Sequence, residues 1–278
     1  MDKVAVLIAC HNRKAKTLQC LSALPDQIGS GIDFRIDVYL VDDNSTDGTA
    51  AAVKQQFPEV NIIPGNGHLY WSRGMHLAWE KASAADYDYY LWLNDDTFIR
   101  DLCVAELIAC SKRTSDNAII CASICSAITK DWTYGGYKVT GTKSTALRPT
   151  GEMIPCETFN GNCVLVPHLA FKTIGNIDPR FIHAIGDLDY GLRATKLKID
   201  LFIAPHYLGY CEKNPSLPKW CLPAYGLRER VANLYSPLGS SHPLYFFRYE
   251  NRHFGLFAAI KHFFTIHLRL VIPQLWKQ

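Results

Sequence analysis

The chain has 278 residues, 48% of them hydrophobic and 20% charged, which is enough apolar material for one large domain or two small ones and excludes disorder as the main state. A formal net charge of only +3 excludes a protein that works by neutralising many nucleic-acid phosphates. Ten cysteines lie mostly inside apolar runs with no Cys-x-x-Cys pair, so buried free thiols in a reducing compartment are expected in place of disulfides or a zinc site.

The N-terminus runs directly into an apolar strand without a basic flank or a cleavage site, and no stretch of 18 uncharged apolar residues follows; a cytoplasmic chain without a spanning helix is expected. Residues 4–9 form a continuous β-rich run, 14–24 have helical spacing, 36–41 are a second buried run and 47–57 are helical again. A third run at 61–63 leads through Gly65-Asn66-Gly67 into a helix ending at Ala82, and a strand at 89–93 ends at Asn94-Asp95-Asp96. This alternation predicts a parallel sheet with crossover helices. Ligands of such sheets gather beyond the carboxyl ends of the strands. His11-Asn12-Arg13, Asp42-Asp43-Asn44 and Asn94-Asp95-Asp96 all lie at such ends and are expected to converge on one crevice.

A helix and a strand are expected over 101–126, and an irregular insertion with hairpin character over 128–155. A strand at 159–167, helices at 169–174 and 189–196 and a last short strand at 199–204 complete the pattern. Beyond Glu212 the composition changes: proline and aromatics dominate 214–243, and 245–278 is aromatic and basic with Glu250 as its one acid. The expected division is therefore 1–213, with halves 1–100 and 101–213, followed by an extension at 214–278.

Adjacent carboxylates repel each other, and a divalent cation relieves that repulsion. Asp95 and Asp96 at a strand end thus suit Mg²⁺ or Mn²⁺ bound to substrate phosphates. Asn-Asp-Asp-Thr is equally good turn and N-cap chemistry. In the run Asp42 to Thr49, Thr46 or Asp47 accounts for capping the next helix, which leaves Asp42 and Asp43 free to accept hydrogen bonds from a nucleobase or ribose.

Five segments in register resemble the inverting glycosyltransferases of family 2, which have the GT-A fold: the opening Val4 to Arg13, Val41 to Thr49, Gly65 to His76, Leu93-Asn94-Asp95-Asp96 in the place of the Asp-x-Asp motif, and Gly186 to Arg193. The third and fifth are similar to the bacterial branch that includes rhamnosyltransferases of surface-polysaccharide assembly. The resemblance covers about residues 1–213 and implies an α/β fold with a mostly parallel nucleotide-binding sheet, flanking helices and a C-terminal aromatic, basic helical extension.

It also implies roles. Asn12, Arg13, Asp42, Asp43, Gly74 and Asp95 would bind the nucleotide-sugar, with Asp43 on the base and Asp95 on the ribose or a metal-bound water. Asp96 would hold Mg²⁺ or Mn²⁺ against the donor diphosphate. Asp187 would be the catalytic base, with Asp189 orienting sugar hydroxyls or else capping the helix that carries Arg193. His206 would add a metal ligand, unless Tyr210 takes that place. The sequence departs from the family at Asn94, at Gly186 where an acid is usual, and at His76 and Ala78. The implied activity is metal-dependent transfer of a hexose from a nucleotide-sugar to a glycan or lipid-linked oligosaccharide in bacterial O-antigen or capsule synthesis. A nucleotidyltransferase would need a glycine-rich loop after the first strand, and a non-catalytic carbohydrate-binding homologue would not need both Asp96 and Asp187.

On a helical projection of the C-terminal segment, Phe257, Ile260, Phe263, Phe264, Leu268 and Val271 share one side and Lys261, His262, Thr265 and Arg269 the other. Such a helix suits the inner face of the cell membrane, where a lipid-linked acceptor would be met. The competing reading packs the same face on the catalytic domain or on a second subunit of a homo-oligomer.

Overall fold

The computed structural model describes residues 1–27, 33–213, 217–239 and 241–276. The expected boundary at 213/214 adjoins residues 214–216, which lie outside the described ones, as does Lys277 of the basic tail. In the first hundred residues β1 (Asp2–Cys10), α1 (Lys14–Ser22), β2 (Phe34–Asp42), α2 (Thr49–Gln56), β3 (Asn61–Pro64), α3 (Tyr70–Ala82) and β4 (Tyr89–Leu93) follow the expected alternation. Next come β5 (Phe98–Ile99), α4 (Cys103–Arg113) and β6 (Ile119–Cys125). The insertion supplies β7 (Trp132–Tyr134), β8 (Gly136–Thr140), β9 (Lys143–Ala146), β10 (Ile154–Cys156) and β11 (Thr158–Phe159). Then follow β12 (Cys163–Pro167), α5 (His168–Ile174), α6 (Gly186–Lys196), β13 (Leu201–Tyr210), α7 (Leu227–Leu234), α8 (Pro243–Phe254) and α9 (Leu256–Val271).

The main sheet has the order β10-β13-β6-β12-β4-β1-β2-β3, and β8, β9 and β11 form a small separate sheet. Pairing is parallel from β3 through β2 and β1 to β4. β12 then enters antiparallel between β4 and β6, and β6 pairs parallel with β13. The chain leaves β1 toward β2 on one side and returns at β4 on the other, so the strand order reverses at β1 and opens a crevice at the carboxyl ends of β1 and β4.

Both faces of this sheet are covered, which explains why its strands read as continuous apolar runs. On β1, Val4, Val6 and Ile8 pack on one side with Leu21 and Leu107, and Ala5 and Leu7 pack on the other with Met75 and Trp79. The second side is an aromatic stack: Trp79 lies 4.9 Å from Phe171 and Trp92 lies 5.0 Å from Tyr190, ring centre to ring centre. All ten cysteines are buried and free.

The C-terminal helices are fastened by both charge and packing. Tyr249 of α8 packs with Phe181, Ile185 and Leu192, while Arg252 reaches Asp178 and Asp189, each at 2.6 Å. Ile266 and Leu270 of α9 pack with Trp220 and Leu234. The opposite side of α9 is open, with Phe257 84% and Phe264 67% exposed beside Ile260, Leu268 and Val271. Phe263 departs from the projection: it turns inward to Phe247 and His267. His262 meets the buried Glu250 at 3.0 Å, and Lys261 and Arg269 are exposed. Among the described residues no helix is long and apolar enough to cross a membrane.

Candidate functional site

Two cavities adjoin at the carboxyl ends of β1 and β4. The larger, about 430 Å³, is bordered by His11, Asp43, Gly67, Tyr70 and Leu238. The smaller, about 320 Å³, is bordered by Asp96, Asn160, Gly161, Asn162, Asp187, Cys211 and Glu212. Arg13, Trp71, Asp95 and His183 border both and form the passage between them.

Asp43 anchors the wall of the larger cavity. Its Oδ1 accepts the Gly67 amide at 2.7 Å, and its Oδ2 accepts the Leu69 and Tyr70 amides at 2.9 Å each. These donors belong to the turn that starts α3, and a carboxylate with about four acceptor positions keeps one for a ligand. The turn needs Gly65, because a Cβ there would lie 2.6 Å from Asp43 Oδ1.

Asp95 and Asp96 are brought together as expected, and a cation of the chain already joins them. Arg13 Nη1 donates to Asp95 Oδ1 at 3.0 Å and to Asp96 Oδ2 at 2.8 Å, and Lys16 Nζ stands 3.7 Å from Asp96 Oδ2. Burial pushes the Asp95 carboxyl up to about 6 despite the Arg13 charge, and the Asp96 charge adds to the rise. Two carboxylates at a strand end are hard oxygen ligands, so the pair fits Mg²⁺ or Mn²⁺ that completes its shell from substrate or water. Among the described residues no group of three or more His, Cys, Asp and Glu side chains gathers for an ion. Cys211 Sγ lies 3.8 Å from Asp96 Oδ1. Burial pushes this thiol up to about 12, so it donates as a neutral group.

Asn94 accounts for one departure from the Asp-x-Asp pattern: its Oδ1 accepts the Trp71 indole N–H at 2.6 Å and fixes the ring in the passage. A carboxylate there would add a third charge beside Asp95 and Asp96. Gly186 accounts for another, because a Cβ at this position would lie 2.5 Å from Ser72 Oγ.

Asp187 faces the smaller cavity from the first turn of α6. Its Oδ2 accepts the Gly161 amide at 2.9 Å, and its Oδ1 accepts the Leu188 amide at 2.8 Å. Burial raises its carboxyl above the usual range, with these amides opposing the rise. The preceding Ile185 has φ +76°, a costly conformation for a β-branched residue that the Tyr249 and Leu192 packing sustains. It aims the start of α6 at the cavity.

Several expected site residues have other roles here. Asp189 is fully buried and turned from both cavities: it binds Arg193 Nε at 3.0 Å, Arg252 Nη1 at 2.6 Å and His253 Nε2 at 2.9 Å. Burial would raise its carboxyl, but the His253 hydrogen bond and the two arginine charges hold it below the usual range. Asn12 braces the turn after β2, its Oδ1 accepting the Thr46 amide at 2.7 Å. Asp42 accepts the Ser45 amide at 3.0 Å in the same turn. Gly74 is a packing residue, since a Cβ there would lie 2.8 Å from the Ala9 Cβ. Neither cavity is bordered by Asn12, Asp42 or Gly74.

His206 is not brought to the carboxylate pair. It projects from β13 with its side chain 64% exposed and its Nδ1 3.0 Å from Glu106 Oε1. Tyr210 lies under Arg100, 4.8 Å from the ring centre. β13 runs on through Pro205 to Tyr210, and the residues that border the cavity after it are Cys211 and Glu212.

His183 carried no expectation, as a lone histidine before Gly186-Asp187 matches no motif. Its backbone carbonyl accepts the Ser72 hydroxyl at 2.8 Å, and its buried Nδ1 has no hydrogen-bond partner among the described residues. Burial first, then the Arg13 charge, holds the imidazole below its ordinary value. It is therefore neutral at pH 7. Asn160 and Asn162 also reached the site without a sequence signal, and Trp71 lies within the Gly65 to His76 segment but carried no assigned role there.

The glycosyl transferase family 2 model matches residues 5–170. No curated protein matches the chain by sequence. Among solved structures the chain is similar to S. aureus TarS, with a TM-score of 0.57, 12% identity and coverage of 91% of this chain and 44% of that one. The TarS 1-349 structures in complex with UDP and with UDP-GlcNAc each give a TM-score of 0.55, at 14% and 13% identity, again over 91% of this chain and over 72% and 73% of theirs. The chain thus spans less than half the length of the longer TarS structure, and at such identities the likeness is one of fold. With the motifs, the strand reversal at β1 and the family match in agreement, the chain belongs to glycosyl transferase family 2 and has its GT-A fold.

Proposed function

We propose that the protein is an inverting glycosyltransferase that moves a hexose from a nucleotide-sugar to a glycan or lipid-linked acceptor in bacterial surface-polysaccharide synthesis. The observation that carries this reading is the single cavity bordered by both Asp187 and the Asp95–Asp96 pair. An inverting transfer needs a base on one side of the sugar and charge neutralisation on the other.

The donor lies along the two cavities. Asp43 offers its remaining acceptor position to the base, as Tyr70 and His11 line the same wall. UDP and UDP-GlcNAc bound to TarS fragments support a nucleotide-sugar as the donor class. The diphosphate meets Arg13 and the neutral His183 in the passage. Asp95 and Asp96 would hold Mg²⁺ or Mn²⁺, which when bound offsets the charge that develops on the leaving diphosphate. Asp187 takes the proton of the acceptor hydroxyl as that oxygen attacks the anomeric carbon from the opposite face. Its raised affinity for a proton improves it as a base, and the Gly161 and Leu188 amides fix its direction.

In this reading residues 1–213 form the catalytic domain, 1–100 serving the nucleotide and 101–213 the acceptor. Residues 214–278 hold it peripherally on the cytoplasmic face of an anionic membrane through the open side of α9. Phe257, Ile260, Phe264, Leu268 and Val271 would enter the acyl boundary, and the exposed Lys261 and Arg269 would meet acidic headgroups. The acid of this segment, Glu250, is buried against His262 and does not oppose them.

A thermal-shift screen of UDP-, dTDP- and GDP-sugars, followed by donor consumption with Mg²⁺ or Mn²⁺ and then EDTA, tests the reading. Stabilisation by one donor class and turnover lost to EDTA is the expected result. Stabilisation by none would refute it.

A further inference from the structure

The cation already present between the two cavities bears on how the site is loaded. One nitrogen, Arg13 Nη1, touches a carboxylate oxygen of both Asp95 and Asp96, at 3.0 and 2.8 Å. An ion that held both carboxylates through these oxygens would need the same place. Lys16 Nζ already stands 3.7 Å from Asp96 Oδ2, so a divalent ion added beside Arg13 would meet strong repulsion at low local dielectric. The partners also differ in freedom: the Arg13 side chain is 47% exposed on a long rotatable stem, whereas that of Asp95 is 6% exposed and fixed on the strand end. Arg13 also opens α1 without a side-chain cap. Its movement therefore costs the helix no cap.

We infer that Arg13 and a divalent cation are alternative counter-ions of the Asp95–Asp96 pair, and that a nucleoside diphosphate draws Arg13 off the pair. The guanidinium borders both cavities, so a rotation of its stem exchanges two carboxylate oxygens for oxygens of the diphosphate, which its planar fork matches. In the donor-free protein the pair is neutralised internally and a cation binds weakly. Once the diphosphate holds Arg13, the carboxylates are released for the ion. Nucleotide and metal then bind with positive coupling to which this one side chain contributes beyond direct phosphate ligation of the ion. The inference rests on the nucleotide-sugar reading above.

The test is calorimetric titration of Mn²⁺ into wild type, Arg13→Gln, Arg13→Ala and Arg13→Lys, each with and without UDP. Without UDP the Gln and Ala variants should bind Mn²⁺ at least about tenfold more tightly than wild type, and the Lys variant, which keeps the charge, should stay within about threefold of it. UDP should tighten Mn²⁺ binding in every form, because its phosphates add ligands to the ion, but by a clearly larger factor in wild type than in the Gln and Ala variants. If those two variants bind Mn²⁺ no tighter than wild type while UDP still binds, the inference is overturned and the transferase reading stands. Absence of both UDP and Mn²⁺ binding from every form would overturn both.

Discussion

Asp187 and Asp189 stand two positions apart on α6, yet their carboxylates serve different parts of the molecule. Asp187 borders the smaller cavity, held by the Gly161 and Leu188 amides, whereas Asp189 is sealed beneath α8 against Arg252 and His253. One carboxylate faces a cavity and the other is committed to attachment.

Substitution should separate these roles. Asp187→Asn keeps the shape and removes the proton acceptor, so turnover should fall by roughly 10²- to 10⁴-fold with donor affinity little changed. Asp189→Ala leaves Arg193, Arg252 and His253 without their buried partner and should cost about 3–5 kcal/mol of stability. Melting curves and initial rates on both variants check this, and a larger rate loss in Asp189→Ala than in Asp187→Asn at equal folded fraction would reverse the assignment.

Acid should separate activity from folding. Burial raises Asp187, so the acid limb of the rate profile should lie above the usual carboxylate value of about 3.9. Asp178 and Asp189 are depressed: burial would raise both, but hydrogen bonds and charge from Arg180 and Arg252 on Asp178, and from His253, Arg193 and Arg252 on Asp189, prevail. Their stabilising contribution is full above about pH 3.9 and lost only as pH falls through their lower folded values. On acidification a window should therefore exist in which circular dichroism reports a folded protein and donor turnover has already failed. Loss of both signals together would count against the separate assignments.

The parallel half of the sheet was legible because its strands are buried on both faces and read as unbroken apolar runs, and because the polar clusters close those runs at Arg13, Asp43 and Asp96. What sequence could not show is where neighbouring acids point. That choice is made by partners far along the chain: Arg252 for Asp189, Glu106 for His206, the Gly67, Leu69 and Tyr70 amides for Asp43. Pro205 invited an early end to β13, but Gly209 and Tyr210 continue pairing with β6. His183 was invisible for the same reason, since its importance lies in the passage it lines.

Asn94→Ala should loosen the Trp71 ring, whose indole N–H loses its partner. Donor KM is expected to rise several-fold with the melting temperature nearly unchanged, a split that steady-state kinetics beside calorimetry would read. An unchanged KM would show that the fixed ring does not position the donor.

The membrane surface is tested on the full chain by Phe257→Ser, Phe264→Ser and Leu268→Ser combined, all three being exposed. Wild type should float with vesicles containing acidic phospholipid and the triple variant should not, while both bind donor alike. Flotation of the variant, or a wild-type protein that ignores acidic vesicles and dimerises through this face, would contradict membrane docking.

The central claim, that Asp187 drives an inverting transfer from a nucleotide-sugar held at the Asp95–Asp96 pair, is tested most directly by early-time proton NMR of sugar released from the donor class found by thermal shift, with water as acceptor. Wild type should first release the anomer opposite to that of the donor, and Asp187→Asn should release sugar at least about 10²-fold more slowly. Release with retained configuration, or undiminished release by Asp187→Asn, would contradict it.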